Sequence, residues 1–218
     1  DEILARLVRI FDRVDSKESL DEVRVLLVPR IRPRRQFEVD WKRMQSKTGS
    51  DPKSERFPCR ALAEHLAVAI AIDRPEQIEY IGSLDRFGVP FEELESIAMT
   101  NLRRLTKQGL EELGPGLFAG SWGDEYAAER MLLPELWEGL AVKGNPVVFL
   151  PGAERIYVAG AEDEQALSAA MARVAERFEM PRPLLDFAFV RRDGQWRLFE
   201  PPGSLGRELG SRLAFHLA

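Results

Sequence analysis

The stretch FAFVRRDGQWRLF, residues 187–199, gives the clearest evidence for how this chain folds. Residues 187–191 and 196–199 are rich in aromatic and β-branched side chains, as β-strands are. Between them stands Asp193-Gly194, a pair that tolerates the positive φ angles of a tight hairpin turn. The stretch therefore predicts two antiparallel strands joined by a short turn.

A second hairpin, followed by a helix, precedes this one. Residues 147–150 and 155–159 are short apolar runs on either side of a PGAE turn. Apolar residues then recur at helical spacing over 167–178. The acidic run EDE at 162–164 fits the first turn of that helix, where the helix dipole favours negative charge. We therefore expect a helix between the two hairpins.

The preceding segment extends this order. Residues 117–122 are typical of a strand, and Asp124 is placed to cap a helix that continues to Leu136. Pro134 should kink or restart that helix. From residue 117 onward the expected order is strand, helix, hairpin, helix, hairpin. This order predicts an α+β fold, with helices packed on the face of an antiparallel sheet.

The first half of the chain has a weaker pattern. Residues 44–56 carry one apolar side chain among polar, Gly and Pro positions and are expected to form a surface loop. The other elements follow from apolar spacing and breakers: a helix over 2–14, a buried strand over 23–28 closed by Pro29, a helix passing into a strand over 61–72, a strand over 77–81, and a helix from Pro90 to Leu105.

The domain organisation is left between two possibilities. We expect a single α+β unit over residues 1–218, within which 1–112 and 113–218 are possible sub-domains. The two halves follow loosely similar plans, although no repeat of fixed period is present.

Three stretches carry a resemblance to a known family. They are DEYAAERMLLPELWEGLAVKGNPVVFLPGAERIYVAG (124–160), ELESIAMTNLRRL (93–105) and FVRRDGQWRLFEPP (189–202). They resemble the YtpQ-like bacterial proteins, catalogued as domain of unknown function 1444, over roughly residues 20–200. The resemblance implies a bacterial cytoplasmic protein with the family's fold, and it implies no mechanism because that family has no established activity. The Pro-rich basic stretch at 29–35 departs from the family's pattern.

The composition is that of a folded protein from a reducing compartment. Hydrophobic residues make up 44% of the 218 residues, too many for an intrinsically disordered chain. The one cysteine, Cys59, cannot form an internal disulfide, which favours the cytoplasm. No apolar run reaches the length of about 18 residues typical of a membrane helix, and no signal peptide is evident. We expect a cytoplasmic protein without a membrane partner.

The charge is unevenly distributed. Residues 24–60 hold eleven basic and four acidic side chains, a local net charge of +7, whereas the remainder carries −12. The most concentrated part mixes cations, prolines and aromatic rings: Pro29, Arg30, Arg32, Pro33, Arg34, Arg35, Phe37 and Trp41. Such a mixture can follow a phosphate backbone and stack on bases. The acidic remainder favours protein partners or internal salt bridges for the same arginines.

The sequence carries no recognisable catalytic or metal signature, so we expect no catalytic residue, cofactor or metal site. His65 lies among apolar residues and is predicted to be structural, and His216 is near the chain end. Cys59 is predicted to be a small buried hydrophobe, with a reactive thiolate at a helix start as the alternative. The acidic run 162–164 lacks the ligand spacing and glycine of a calcium loop.

One further group of residues joins a strand end to a helix start, where ligands often dock: Trp122, Asp124 and Tyr126, with Arg130 nearby. Packing and capping explain the same residues equally. The candidate binding residues are thus Arg30, Arg32, Arg34, Arg35, Trp41, Trp122, Asp124 and Tyr126.

These observations favour a non-enzymatic protein-binding or adaptor module. A nucleic-acid-binding protein that uses residues 24–60 and an unrecognised hydrolase are the alternatives. A homodimer formed through a sheet edge or an apolar helix face also remains open.

Overall fold

The structure, a computed structural model, describes residues 18–48, 57–152, 154–175 and 188–201. These residues divide into two units. The first contains the described residues up to Ala61 together with His65–Leu105, and the second contains Leu62–Glu64 and the described residues from Thr106 onward. Each unit is built on its own antiparallel sheet. The predicted α+β class is confirmed.

The described residues form four α-helices and ten strands. The helices are α1 (Leu20–Val23), α2 (Arg34–Thr48), α3 (Phe91–Leu105) and α4 (Glu164–Ala175). The strands are β1 (Leu27–Pro33), β2 (Arg60–Ala61), β3 (Leu66–Arg74), β4 (Gln77–Tyr80), β5 (Glu111–Gly114), β6 (Leu117–Gly120), β7 (Pro146–Phe149), β8 (Ile156–Gly160), β9 (Ala188–Arg192) and β10 (Gln195–Leu198).

In the first unit, β3 is the central strand of a four-stranded sheet. It pairs with β1 on one side and with β2 and β4 on the other. Its isoleucines, Ile70 and Ile72, pack in a core with Leu94 and Ala98 of α3. Successive side chains of a strand point to opposite faces. Ala67 and Ala69 therefore face the other way.

Those two alanines lie in a second core that is aromatic. Phe37 stacks on Phe57 with ring centroids 5.3 Å apart. Tyr80 approaches Phe37 edge-on at 5.7 Å, and Trp41 lies 5.7 Å from Phe57. Phe37 and Trp41 are one helical turn apart on α2, so they reach the sheet from the same face of that helix. Because the alanine side chains are small, large rings fit against β3.

Several predictions for the first unit need correction. Residues 24–26 form a 3₁₀ turn, and β1 continues through Pro29 to Pro33 instead of ending at Pro29. The start of the expected loop, residues 44–48, belongs to α2. No helix forms over 61–65; those residues are a short strand and a bend before β3. The strand near 77–81 and the helix after Pro90 are confirmed. The predicted helix over 2–14 and the remainder of the loop lie outside the described residues.

In the second unit, six strands form an antiparallel sheet in the order β10-β9-β7-β8-β6-β5. Both predicted hairpins are confirmed, and the turn of the last one has positive φ at Asp193 (50°) and Gly194 (76°). Helix α4 packs on one face of the sheet through Leu167 and Ala170. The rest of the predicted helix, residues 176–178, lies outside the described ranges.

One further expectation for this unit was wrong. The segment after Asp124 is not an α-helix; it forms two 3₁₀ segments, Glu129–Leu132 and Pro134–Leu136, separated at Leu133. In addition, residues 111–114, for which the sequence predicted no strand, form β5. β5 and β6 form a hairpin, in which Gly116 has a φ of +71° that glycine adopts without steric cost.

Candidate binding surfaces

The four arginines of the basic stretch do not share one surface. Arg30 is only 1% exposed and lies opposite Ala69 in the ladder, on the aromatic side of the sheet. Arg32 is half-buried, and its Nη1 donates to the carbonyl of Ile31 at 2.7 Å. Arg34 and Arg35 are exposed at the start of α2, where Arg34 pairs with Glu38 of the next turn at 3.4 Å. Of the two alternatives left open for this stretch, a role inside the protein fits the buried Arg30, whereas Arg34 and Arg35 are accessible to a partner.

The two prolines of the stretch have a structural explanation at the open edge of β1. The N–H of Arg34 donates to the carbonyl of His65 at 2.8 Å. Because hydrogen-bonded and non-bonded pairs alternate in an antiparallel ladder, the even-numbered residues of β1 bond to β3 and the odd-numbered ones face outward. Pro29 and Pro33 are odd-numbered, so neither offers an N–H to an incoming strand.

Two carbonyls at the same edge already have donors. Asn101 of α3 is buried, and its Nδ2 donates to the carbonyl of Leu27 at 2.9 Å. The carbonyl of Ile31 accepts from Arg32, as described above. The edge of β1 is thus closed to strand pairing by prolines and side chains, a common protection of sheet edges.

Trp41 is one of the two aromatic residues of the basic segment for which stacking on a base was an alternative. Its ring is half-buried and contacts Phe57 within the aromatic core. This contact accounts for its position without a ligand.

In the second unit, the structure brings Trp122, Asp124, Tyr126 and Arg130 together. Both terminal nitrogens of Arg130 donate to the Asp124 carboxylate, each at 2.7 Å, and Nε donates to Thr106 Oγ1 at 2.9 Å. Arg130 is fully buried, whereas the Asp124 side chain is 27% exposed. The backbone N–H of Tyr126 also donates to Asp124 Oδ1, at 3.0 Å. A bidentate buried pair of this kind fixes both side chains.

The same cluster holds the start of β5. The guanidinium of Arg130 lies 4.3 Å from the centroid of the Trp122 ring. The indole Nε1 of Trp122 donates to the carbonyl of Gln108 at 2.9 Å, and Nε2 of Gln108 donates to the carbonyl of Ser121 at 2.9 Å. These two bonds join the residues before β5 to those after β6. The candidate ligand site is therefore an anchor for a hairpin.

Gly120 leaves the space that the Trp122 ring fills. A Cβ atom at Gly120 would lie 2.1 Å from Cη2 of Trp122 and 2.8 Å from Cδ2 of Leu110. Real Cβ atoms do not approach other atoms this closely. Only glycine fits at this position with the ring where it is.

β5 is the last strand of the six-stranded sheet, and among the described residues no strand lies along its other long side. Glu111, Glu112 and Leu113 are exposed. Within the described ranges, no hydrogen bond reaches this side of the strand. The opposite end of the sheet differs, because the N–H of Leu198 in β10 donates to Glu64 Oε2 at 2.9 Å.

The alternation of hydrogen-bonded and non-bonded pairs in this sheet can be assigned from one bond at the end of the β7–β8 pair. The N–H of Ala161 donates to the carbonyl of Asn145 at 2.9 Å, which makes this a bonded pair. Gly160 and Pro146 must then be a non-bonded pair. Pro146 has no N–H, in agreement with this assignment.

Each residue of an inner strand bonds to one neighbouring strand, and the next residue bonds to the other. Applied to β8 and then to β6, this alternation identifies which backbone groups of β5 face away from β6. Val158 and Phe118 form a bonded pair, and therefore Ala119 and Glu111 form the next one. The N–H and C=O of Glu112 consequently point away from β6, toward the open side. A β-bulge follows between Glu112 and Gly114.

The titratable side chains that could serve in catalysis or metal binding have structural surroundings. His65 is half-buried at the bend before β3. Asp163 precedes α4 and accepts the N–H of Ala166 at 3.1 Å, as a helix N-cap does. The 3%-exposed carboxylate of Glu79 is ion-paired with Arg74 and Arg86. Among the described residues, no group of three or more acidic, His or Cys side chains could hold a metal ion.

Cys59 differs from both predictions made for it. Its side chain is exposed, so it is not a buried hydrophobe. The residue after it begins strand β2, so it does not cap a helix. Partial burial raises the pKa of the Cys59 thiol, the charge of Arg34 acts against this, and the charge of Glu38 adds to it. Its surroundings therefore disfavour the thiolate.

The β5 edge was missed by the sequence reasoning, although a signal was present. Pro115-Gly116 occupies the turn directly before a strand that was predicted correctly, and such a pair commonly joins two strands.

None of the helices in the described part of the chain has the length and apolar character that spanning a membrane requires. The similarity to the YtpQ-like proteins stays a prediction. Comparisons of the chain with protein-family models, with curated proteins and with solved structures find no match.

Proposed function

We propose that this protein is a non-enzymatic protein-binding module that takes up an extended segment of a partner along β5. The observation that carries the proposal is the open side of β5, where Glu112 presents an outward N–H and C=O. An extended peptide can add to such an edge as a further strand, with main-chain hydrogen bonds supplying affinity.

The contrast with other edges supports a specific role for β5. At β1, two prolines and the side chains of Asn101 and Arg32 occupy the open side. At β10, Glu64 caps the N–H of Leu198. Exposed edges promote aggregation, and proteins usually block them. An edge that the described residues leave open, while β1 and β10 are closed, is the natural place for a partner.

The rigid attachment of β5 also supports binding. The strand is held at its start by the Gln108–Trp122 bond and at its end by the turn at Pro115-Gly116. A strand fixed before binding loses little conformational freedom when the partner arrives, which favours affinity.

The test uses two substitutions at one position. Glu112→Pro removes the outward N–H without removing a bond to β6, whereas Glu112→Ala keeps that N–H. Peptides enriched from a random displayed library against the unmodified protein should bind Glu112→Ala and should lose about tenfold or more in affinity for Glu112→Pro. Circular dichroism would establish that both variants are folded. Equal binding to both variants, or no enrichment in repeated selections, would contradict the proposal.

We further propose that binding takes place in a reducing compartment, the cytoplasm being the expected one. The support is the single, exposed, free thiol of Cys59. An unpaired exposed thiol is prone to oxidation outside the cell.

A further inference from the structure

We infer that the segment accepted by β5 is a lysine- or arginine-rich extended stretch of a different protein, an inference that rests on the proposed function. Two exposed carboxylates, Glu111 and Glu112, stand side by side on this strand. Both carboxylates would lie next to a segment that adds to the open edge of β5.

The two carboxylates project to opposite faces of the sheet. Glu111 is in register with Ala119, whose side chain lies in the core under α4, and Glu112 is in register with Phe118 on the opposite face. An added strand would therefore have a carboxylate beside it on each face. Oppositely charged side chains on adjacent strands stabilise their pairing, and like charges destabilise it.

This arrangement discriminates among the possible occupants. A second copy that pairs antiparallel with β5 across Glu112 would bring the two Glu112 carboxylates directly opposite each other, so self-association is disfavoured. Nucleic acid would bring phosphates to the same carboxylates and would be repelled. A segment with basic residues at two neighbouring positions would place one of them beside the carboxylate on each face of the sheet.

Leu113 adds one apolar position to the recognition pattern. It is 37% exposed and lies at the bulge that ends the regular pairing of β5. A partner with an apolar residue after its basic pair would cover this side chain. The expected partner pattern is thus two consecutive basic residues with an apolar residue next to them.

The test compares three synthetic peptides of about nine residues, a length that spans the edge in an extended conformation. One repeats Lys-Lys-Val, so that lysines project to both faces, and the other two replace every Lys by Gln or by Glu. Fluorescence anisotropy should show the Lys peptide binding about five- to tenfold more tightly than the Gln peptide, with the Glu peptide weakest. Raising the salt from about 50 mM to about 500 mM should remove most of this preference, because exposed charges are screened.

Charge reversal supplies the matched control. In a Glu111→Lys, Glu112→Lys double variant, the order of the peptides should invert. If all three peptides bind the unmodified protein equally and Glu112→Pro abolishes their binding, the inference about charge is overturned and the proposed function stands. If none of them binds, the edge is not a peptide site and both fall. A dimer in sedimentation equilibrium that Glu112→Pro dissociates would overturn the inference in favour of a second copy.

Discussion

The guanidinium of Arg130 lies 4.3 Å from the ring centroid of Trp122 while it is bound at both terminal nitrogens by Asp124. This contact links the Arg130–Asp124 ion pair to the Trp122 ring. The indole N–H of that ring donates to the carbonyl of Gln108, just before β5. A substitution that destabilises this cluster should therefore also loosen the attachment of β5.

Replacement of Asp124 by Asn should destabilise the protein. The change would leave the fully buried charge of Arg130 without its carboxylate. Removing one partner of a buried pair costs about 3–5 kcal/mol, and the partial exposure of Asp124 lowers our expectation to about 2–3 kcal/mol. Urea unfolding followed by tryptophan fluorescence would measure this. Glu138→Gln, which neutralises an exposed acid, is the control. Equal unfolding free energies for the two variants would show that the pair contributes little.

Replacement of Gly120 by Ala should be harmful because the new methyl group meets the pinned ring of Trp122. Overpacking of this kind costs about 1–3 kcal/mol. Gly109→Ala is a matched control, since a Cβ there would have no atom within 4 Å and its φ is not in the left-handed region. Thermal unfolding should show a clear loss for Gly120→Ala and little change for Gly109→Ala. Similar melting temperatures for both would mean that Trp122 moves aside easily.

The strands and turns of the second unit were predictable because their signals are local. Asp193-Gly194 specifies a hairpin turn by itself, and its two positive φ angles confirm this. The segment after Asp124 was not predictable in the same way. Its apolar spacing resembles a helix, yet Asp124 binds Arg130 in the same segment, and the chain between them folds as short turns. The sequence identified the residues of this cluster without indicating how they pair.

The first unit was harder to predict for a different reason. The alanine-rich run before Asp73 is typical of a helix, but β3 is covered on both faces and needs small side chains beneath the aromatic core. Tertiary packing decides such a segment. The burial of Arg30 was also unexpected, since arginine is seldom fully buried. Its exposure depends on a sheet register that composition does not reveal.

Cys59 should react with thiol reagents in the native protein, but slowly at neutral pH. The side chain is exposed to solvent on one side. Neighbouring atoms cover the rest of it, and this partial desolvation raises the pKa of the thiol. The labelling rate should therefore rise through the alkaline range above the usual thiol pKa of about 8.5. Glu38→Gln removes a charge that raises this pKa and should speed labelling, whereas Arg34→Gln should slow it. A fast rate that does not change with pH would contradict this prediction.

Asp163 should contribute to stability at neutral pH and lose that contribution in acid. The backbone N–H of Ala166 is the main cause that lowers the pKa of this carboxyl group, and Lys143, whose Nζ is 3.1 Å away, also lowers it. Because the folded pKa lies below the unfolded value of about 3.9, the stabilisation is complete above that value and is lost as the pH falls through the folded pKa. The difference in urea midpoint between the unmodified protein and Asp163→Asn should therefore be constant near neutrality and shrink below about pH 4. Glu154→Gln, at an exposed position, should show a small difference without this decline. A difference for Asp163→Asn that persists unchanged at low pH would show that the cap does not depend on the charge.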